Sequence, residues 1–134
     1  MIDLEVEIFD EIARLVLESY PDAYVSSQYA PVPGTFPAVS IVESSNVENP
    51  PTISSADEEE FAAVTYTVQV ANPSKNGGKR VCKAIMSSVS DRMRLRNMTR
   101  TMCMPVDNAE DPTIYRMIAR FTGVTGANGM TYRR

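Results

Sequence analysis

Two segments of this sequence carry residue types that could do chemistry. Asn76-Gly77-Gly78-Lys79 lies between a predicted strand and a predicted helix, where backbone N–H groups could hold a phosphate. A nucleotide-binding loop needs a longer glycine-bounded turn and a Ser or Thr after the lysine, but Arg80 follows here. Four consecutive carboxylates stand at positions 57–60, whereas a calcium loop alternates its ligands and includes a turn glycine. Neither segment therefore predicts a nucleotide or metal site.

The residue types that are missing restrict catalysis further. The sequence has no histidine, which excludes Ser-His and Cys-His nucleophile pairs and removes the commonest transition-metal ligand. Its two cysteines, Cys82 and Cys103, are too few for a cysteine zinc site, and we interpret both as buried, reduced thiols. We therefore expect no catalytic site, no metal and no cofactor.

A basic region extends from Lys75 to Arg100, where Asp91 is the only acidic residue. This region has no aromatic side chain on which a base could stack, and it matches no helix-turn-helix or RNA-recognition signature. Sequence-specific nucleic-acid binding is therefore not predicted. Non-specific contact with passing DNA remains open for Lys79, Arg80 and Lys83.

The charge of the chain is divided along its length. The net charge is −4, but residues 1–60 carry −12 and residues 61–134 carry +8. One interpretation is that the two halves neutralise each other inside one fold. The other is that opposite faces of two copies attract, which favours head-to-tail association and, with a suitable rotation, a ring. For such a contact we expect the acidic face of the first helix or an acidic loop to meet arginines of the second helix, and the candidates are Asp57, Glu58, Glu59, Glu60, Arg92, Arg94 and Arg96.

The first half of the sequence predicts one helix, two strands and a long loop. Charged residues recur every three or four positions over 3–19, which predicts an amphipathic helix that Pro21 ends. Two β-prone runs at 24–29 and 38–44, joined by a proline-rich connection, predict a hairpin. The polar and acidic stretch 46–60 predicts an exposed loop.

The second half predicts three strands and one helix. Strict alternation of apolar and polar residues predicts strands near 64–71, 99–106 and 113–122. The glycine pair at 77 and 78 is predicted to open a helix over 77–96. Glycines in 123–134 predict a flexible end. The predicted apolar side of the second helix contains Val81, Ala84, Ile85, Ser88, Val89 and Leu95.

These elements, in a chain of 134 residues, predict a single domain over 1–134. The expected fold class is α+β, with a mostly antiparallel sheet of about five strands packed by two helices in the order α-β-β-loop-β-α-β-β. No apolar run approaches the length of a membrane span, so no membrane partner is expected. An acidic start without a secretory signal favours the cytoplasm as the place of folding.

The order of elements resembles that of the tail terminator proteins of long-tailed phages. The resemblance is carried by the leading amphipathic helix, the proline-rich pair of strands, the strand from Val64 to Ala71, the glycine-opened helix and the late strand with Ile114-Tyr115-Arg116. It is closest from Val64 to Phe121, and the loop 46–60 and the segment 123–134 would be local variations.

The resemblance implies a structural virion protein rather than an enzyme. Proteins of that family form a ring, usually of six copies, that caps the tail tube and joins it to the head-completion or stopper protein of the neck. The expected partners are thus further copies of the chain, the tail tube protein and the neck complex, with assembly in the host cytoplasm. The alternatives are another phage neck or tail component, or a small non-specific nucleic-acid-binding module that uses the basic second helix.

Overall fold

The computed structural model describes residues 3–28, 35–48, 61–106, 113–126 and 131–132. Within these residues the elements follow one another in this order: helix α1 (Glu5–Ser19), strands β1 (Tyr24–Ser26), β2 (Ala38–Glu48) and β3 (Phe61–Pro73), helix α2 (Gly78–Leu95), and strands β4 (Thr99–Val106), β5 (Ile114–Gly126) and β6 (Thr131–Tyr132). The predicted α+β class and element order are confirmed.

The strands form one mixed, mostly antiparallel sheet in the order β1-β2-β3-β5-β4, with β6 paired to β5. The predicted hairpin of β1 and β2 is wrong, because these strands run parallel, with Tyr24 opposite Ala38 and Ser26 opposite Ser40. A parallel pair needs a longer connection than a tight turn, and residues 27–37 connect β1 to β2.

Two predicted irregular segments are shorter than expected. Strand β2 continues to Glu48 and β3 already begins at Phe61, so only 49–60 of the predicted loop 46–60 remains, outside the described residues. Residues 123–126 belong to β5, where Val64 pairs with Gly123 and Phe61 with Gly126. The first four residues of the segment predicted as a flexible end are therefore held by the backbone hydrogen bonds of the sheet.

Both helices cover one face of the sheet. Ile8, Ile12 and Val16 of α1 share a core with alternate residues of the strands, among them Tyr66 and Phe121. On the opposite face, the part of the chain that the structure describes places no helix. The domain thus has two layers, whose helix layer consists of α1 beside α2.

The buried side of α2 differs from the predicted one. Ile85 and Val89 are buried as expected, but Ala84 and Ser88 are exposed and Leu95 is 77% exposed. Their places in the core are taken by other side chains of the helix, namely Cys82, Met86 and Met93.

The two glycines at the start of α2 serve the backbone. Gly77 adopts a left-handed φ of 71° that side-chain-bearing residues rarely adopt. At Gly78, a Cβ atom would lie 2.8 Å from the carbonyl oxygens of Asn72 and Pro73, so the first turn of α2 can approach the end of β3 only with glycine. The left-handed φ of Gly77 and the close approach at Gly78 therefore account for the glycine pair.

The end of α2 is set by Asn97. This residue has a left-handed φ of 62°, and the Met98 N–H donates to the Met93 carbonyl at 2.9 Å. This is the usual stop signal in which a residue just past the helix turns left-handed. Because Met98 is buried beside Met93 in the core, the chain leaves the helix directly into β4.

Candidate subunit interface

The fold places the acidic helix α1 and the basic helix α2 side by side, toward opposite edges of the helix layer. Helix α1 contacts β2 and α2, whereas α2 contacts β3, β5 and β4. Since β2 and β4 lie toward opposite ends of the strand order, α1 occupies one side of the helix layer and α2 the other. The outward-facing flanks of the two helices are therefore at opposite edges.

One predicted interface residue, Arg96, uses its charge inside the subunit. Its Nε donates to Glu11 Oε2 at 2.8 Å, and its NH2 lies 2.7 Å from the same oxygen and 3.1 Å from Glu7 Oε1. Partial burial alone would lower the pKa of the Arg96 guanidinium, but the two glutamates outweigh it and raise that pKa above its usual value. This ion pair is an instance of the local neutralisation that the charge pattern allowed.

The three arginines predicted to act together point to different sides of the domain. Ser88 lines a notch against α1, so Arg92, one turn later, lies on the α1-facing flank of α2, where it is half-buried. Arg94 is exposed on the other flank, where it faces the start of β4. With Arg96 directed at α1, only Arg94 of the three lies at the β4 edge.

Other basic residues join Arg94 on this flank of α2. The helical repeat places Lys79 and Lys83 on the side that Ser90 and Arg94 share, and both lysines are exposed. Arg80 is also exposed, and it points away from the sheet. The residues predicted to touch phosphate are thus available on the surface, with Lys79 and Lys83 continuing the basic flank.

A cleft of about 240 Å³ separates the end of α2 from the start of β4. Met98, which is buried, forms its floor, and its polar walls are Ser90 and Arg94 on α2 with Thr99 and Arg100 on β4. Arg100 NH1 donates to Ser90 Oγ at 3.1 Å, so one guanidinium is held at the wall of the cleft. None of the five lining residues is acidic.

At the opposite edge, the flank of α1 that faces away from α2 is apolar. Val6 is 72% exposed and Leu17 is 39% exposed, and the helical repeat places Phe9 and Ala13 between them. Asp10 is exposed next to this apolar stripe. The predicted partners Asp57, Glu58, Glu59 and Glu60 lie outside the described residues, so the described acidic surface at this edge belongs to α1.

A group of carboxylates joins α1 to the edge of β2. The Glu43 backbone N–H donates to Glu5 Oε2 at 2.9 Å, and the Tyr66 hydroxyl donates to Glu43 Oε1 at 3.0 Å. Partial burial raises the pKa of the Glu43 carboxyl and the nearby charges of Asp3 and Glu5 raise it further, against the hydrogen bond from Tyr66. Burial and Glu43 together raise the pKa of the Tyr66 hydroxyl as well.

The two cysteines differ from each other. Cys82 is buried in the core, its Sγ lies 3.7 Å from the Val70 carbonyl oxygen, and burial raises its pKa to about 12. Cys103 is exposed on β4, so the expectation that both thiols are buried is wrong for it. Strand β4 is an edge strand, and both of its faces are largely open.

Among the described residues, no group of three or more His, Cys, Asp or Glu side chains is arranged to hold a metal ion. Over the same residues, no helix has the length and apolar character needed to cross a membrane. Comparison of the sequence with protein-family models gives no match, and comparison with curated proteins gives none either.

Proposed function

We propose that this chain is the subunit of a head-to-tail ring that caps a phage tail tube and joins it to the neck. One observation carries the proposal: the outer flank of α1, with Asp10 and an exposed apolar stripe, lies at one edge of the domain, and the basic flank of α2 lies at the other. Two different surfaces at opposite edges suit a heterologous contact, which repeats from copy to copy.

In such a contact, charge and apolar burial would have different roles. Exposed ion pairs are each worth about 0 to 1 kcal/mol, so charge would set orientation and register. The association free energy would come mainly from burial of apolar side chains such as Val6 and Leu17 against the stems of lysines and arginines. The tail tube protein and the head-completion or stopper protein would bind the two open ends of the ring, as the resemblance to tail terminators implies.

Light scattering across a concentration series tests the proposal. We expect a mass that reaches one fixed multiple of the subunit mass, and closed rings of uniform diameter in negative-stain images. Raised salt should move the assembly midpoint to higher concentration, because exposed charges are screened. A monomer at every concentration would contradict the ring, and so would a mass that rises without limit, since a contact that does not close gives a filament.

A second candidate function is non-specific DNA binding. It is favoured by the exposure of Lys79, Arg80 and Lys83. Binding to random duplex DNA should then fall steeply with salt, and changing all three residues to Ala should weaken it. An affinity that the triple variant leaves unchanged would exclude this surface as the DNA contact.

A further inference from the structure

We infer that the cleft between α2 and β4 receives the Asp10 side chain of a second copy, between Arg94 and Arg100, with helix α1 of that copy lying across the mouth of the cleft. This inference rests on the proposed ring and names the contact that would build it. The occupant is a carboxylate of the same chain.

The chemistry of the cleft points to an acidic ligand. Two exposed arginines flank a polar space of about 240 Å³ above the buried Met98, and its lining contains no acidic residue. Guanidinium groups bind carboxylates with directed, often paired hydrogen bonds. The bond from Arg100 to Ser90 Oγ holds one of these groups in place before a ligand arrives. A carboxylate is thus the ligand that the lining fits.

The surface that complements the cleft lies on the outer flank of α1. Asp10 is exposed on α1 beside the apolar stripe that contains Val6 and Leu17. Because α1 and the cleft are at opposite edges of the helix layer, a second copy placed head to tail beside the first, and rotated by one step of the ring, brings its α1 toward the cleft. The apolar stripe would then lie along the stems of Lys83 and Arg94, with the charged ends directed at the acidic rim.

The charge of the two surfaces favours a second copy over DNA as the occupant. A DNA backbone would use the basic flank but would leave the acidic edge and apolar stripe of α1 without a role. A second copy uses both edges at once. DNA binding at the cleft in place of a second copy would therefore overturn the inference.

Two single charge reversals, Asp10→Arg and Arg94→Glu, test the contact. Each variant alone places like charges together, so each should raise the assembly midpoint at low salt by about tenfold, which corresponds to about 1.4 kcal/mol. An equal mixture of the two should assemble at a lower concentration than either variant alone. When the two variants alternate, half of the contacts are wild type. In the other half the exchanged pair attracts while Arg100 repels the new arginine, so the midpoint should recover only in part.

Matched controls are Glu18→Arg on α1 and Arg80→Glu on α2. Both residues are exposed and away from the proposed contact, and the changes in charge are the same. Circular dichroism and thermal melting should show that all four variants fold. We expect the two controls to assemble as the wild type does.

Three results would overturn the inference, and they separate it from the ring itself. If the wild type is a monomer at every concentration, both fail. If the wild type assembles but both test variants share the midpoint of the controls, the cleft is not the contact, although the ring stands. If Arg94→Glu assembles normally but loses affinity for random duplex DNA, the cleft holds phosphate instead.

Discussion

Replacing Arg96 with Ala should destabilise the subunit by roughly 2 kcal/mol, and the contacts of this residue set that figure. The side chains of Arg96 and Glu11 are 19% and 27% exposed and share two close contacts, for which charge-assisted hydrogen bonds give about 1.5 kcal/mol at the lower end of their range. Glu7 is 58% exposed, so its contact adds only about 0.5 kcal/mol.

A double-mutant cycle in urea measures these values separately. We expect a coupling free energy of about 1 to 1.5 kcal/mol between Arg96→Ala and Glu11→Gln, and about 0.5 kcal/mol or less between Arg96→Ala and Glu7→Gln. High salt should reduce the second coupling more than the first, because Glu7 is the more exposed partner. Arg80→Ala, at an exposed position on the same helix and away from the proposed contact, serves as the control with little effect.

A coupling between Arg96 and Glu11 below about 0.3 kcal/mol would refute this reasoning. Such a result would mean that the charge of Arg96 is not paired within its own subunit. Reversing Arg96 would then be expected to disturb assembly alone, whereas the structure predicts that Arg96→Glu first weakens the joining of α1 to α2.

Two further predictions concern single side chains. Under native conditions an alkylating reagent should modify Cys103 quickly and Cys82 only after unfolding, because burial raises the pKa of Cys82 to about 12; mass spectrometry of the labelled peptides checks this, and equal labelling would contradict it. Because the pKa of Glu43 is raised above its ordinary value of 4.5, its ionisation opposes folding, so the contribution of Glu43 to wild-type stability should fall as pH rises through the folded-state pKa. Glu43→Gln should thus gain more stability relative to the wild type at pH 7 than at pH 4 in urea titrations, and an equal difference at both pH values would count against the shift.

Much of the fold follows from periodicity in the sequence. The alternation of Val64, Tyr66 and Val68 identifies β3, and the predicted range of β4, 99–106, matches the observed strand. The direction of the β1–β2 pair was not predictable in this way, because parallel and antiparallel strands share the same local pattern. The sequence also favours a hairpin of β1 and β2 because the proline-rich connection between them has the composition of a turn.

The candidate site was less predictable than the fold. Arg94 was identified from its charge, but its pairing with Arg100 across the cleft depends on Asn97, which turns the chain back beside the helix. The sequence predicts Arg96 as an interface residue, but its partners Glu7 and Glu11 are far away in sequence and no local pattern reveals them. The signal that could have separated Arg94 from Arg96 is their helical phase, which places them on different sides of α2.

The bond from the Glu43 N–H to Glu5 has a consequence for how the protein resists aggregation. Among the described residues, β1 covers β2 only from Ala38 to Ser40, so the later part of β2 forms an edge of the sheet. A free N–H at such an edge is a point at which a strand of another chain can be added. Here a carboxylate of α1 already occupies that donor, and the register shift between Glu43 and Ser45 distorts the strand beside it. A foreign strand would have to displace a charge-assisted hydrogen bond and lie along an irregular edge. At this part of β2 the subunit is therefore protected against amyloid-like stacking.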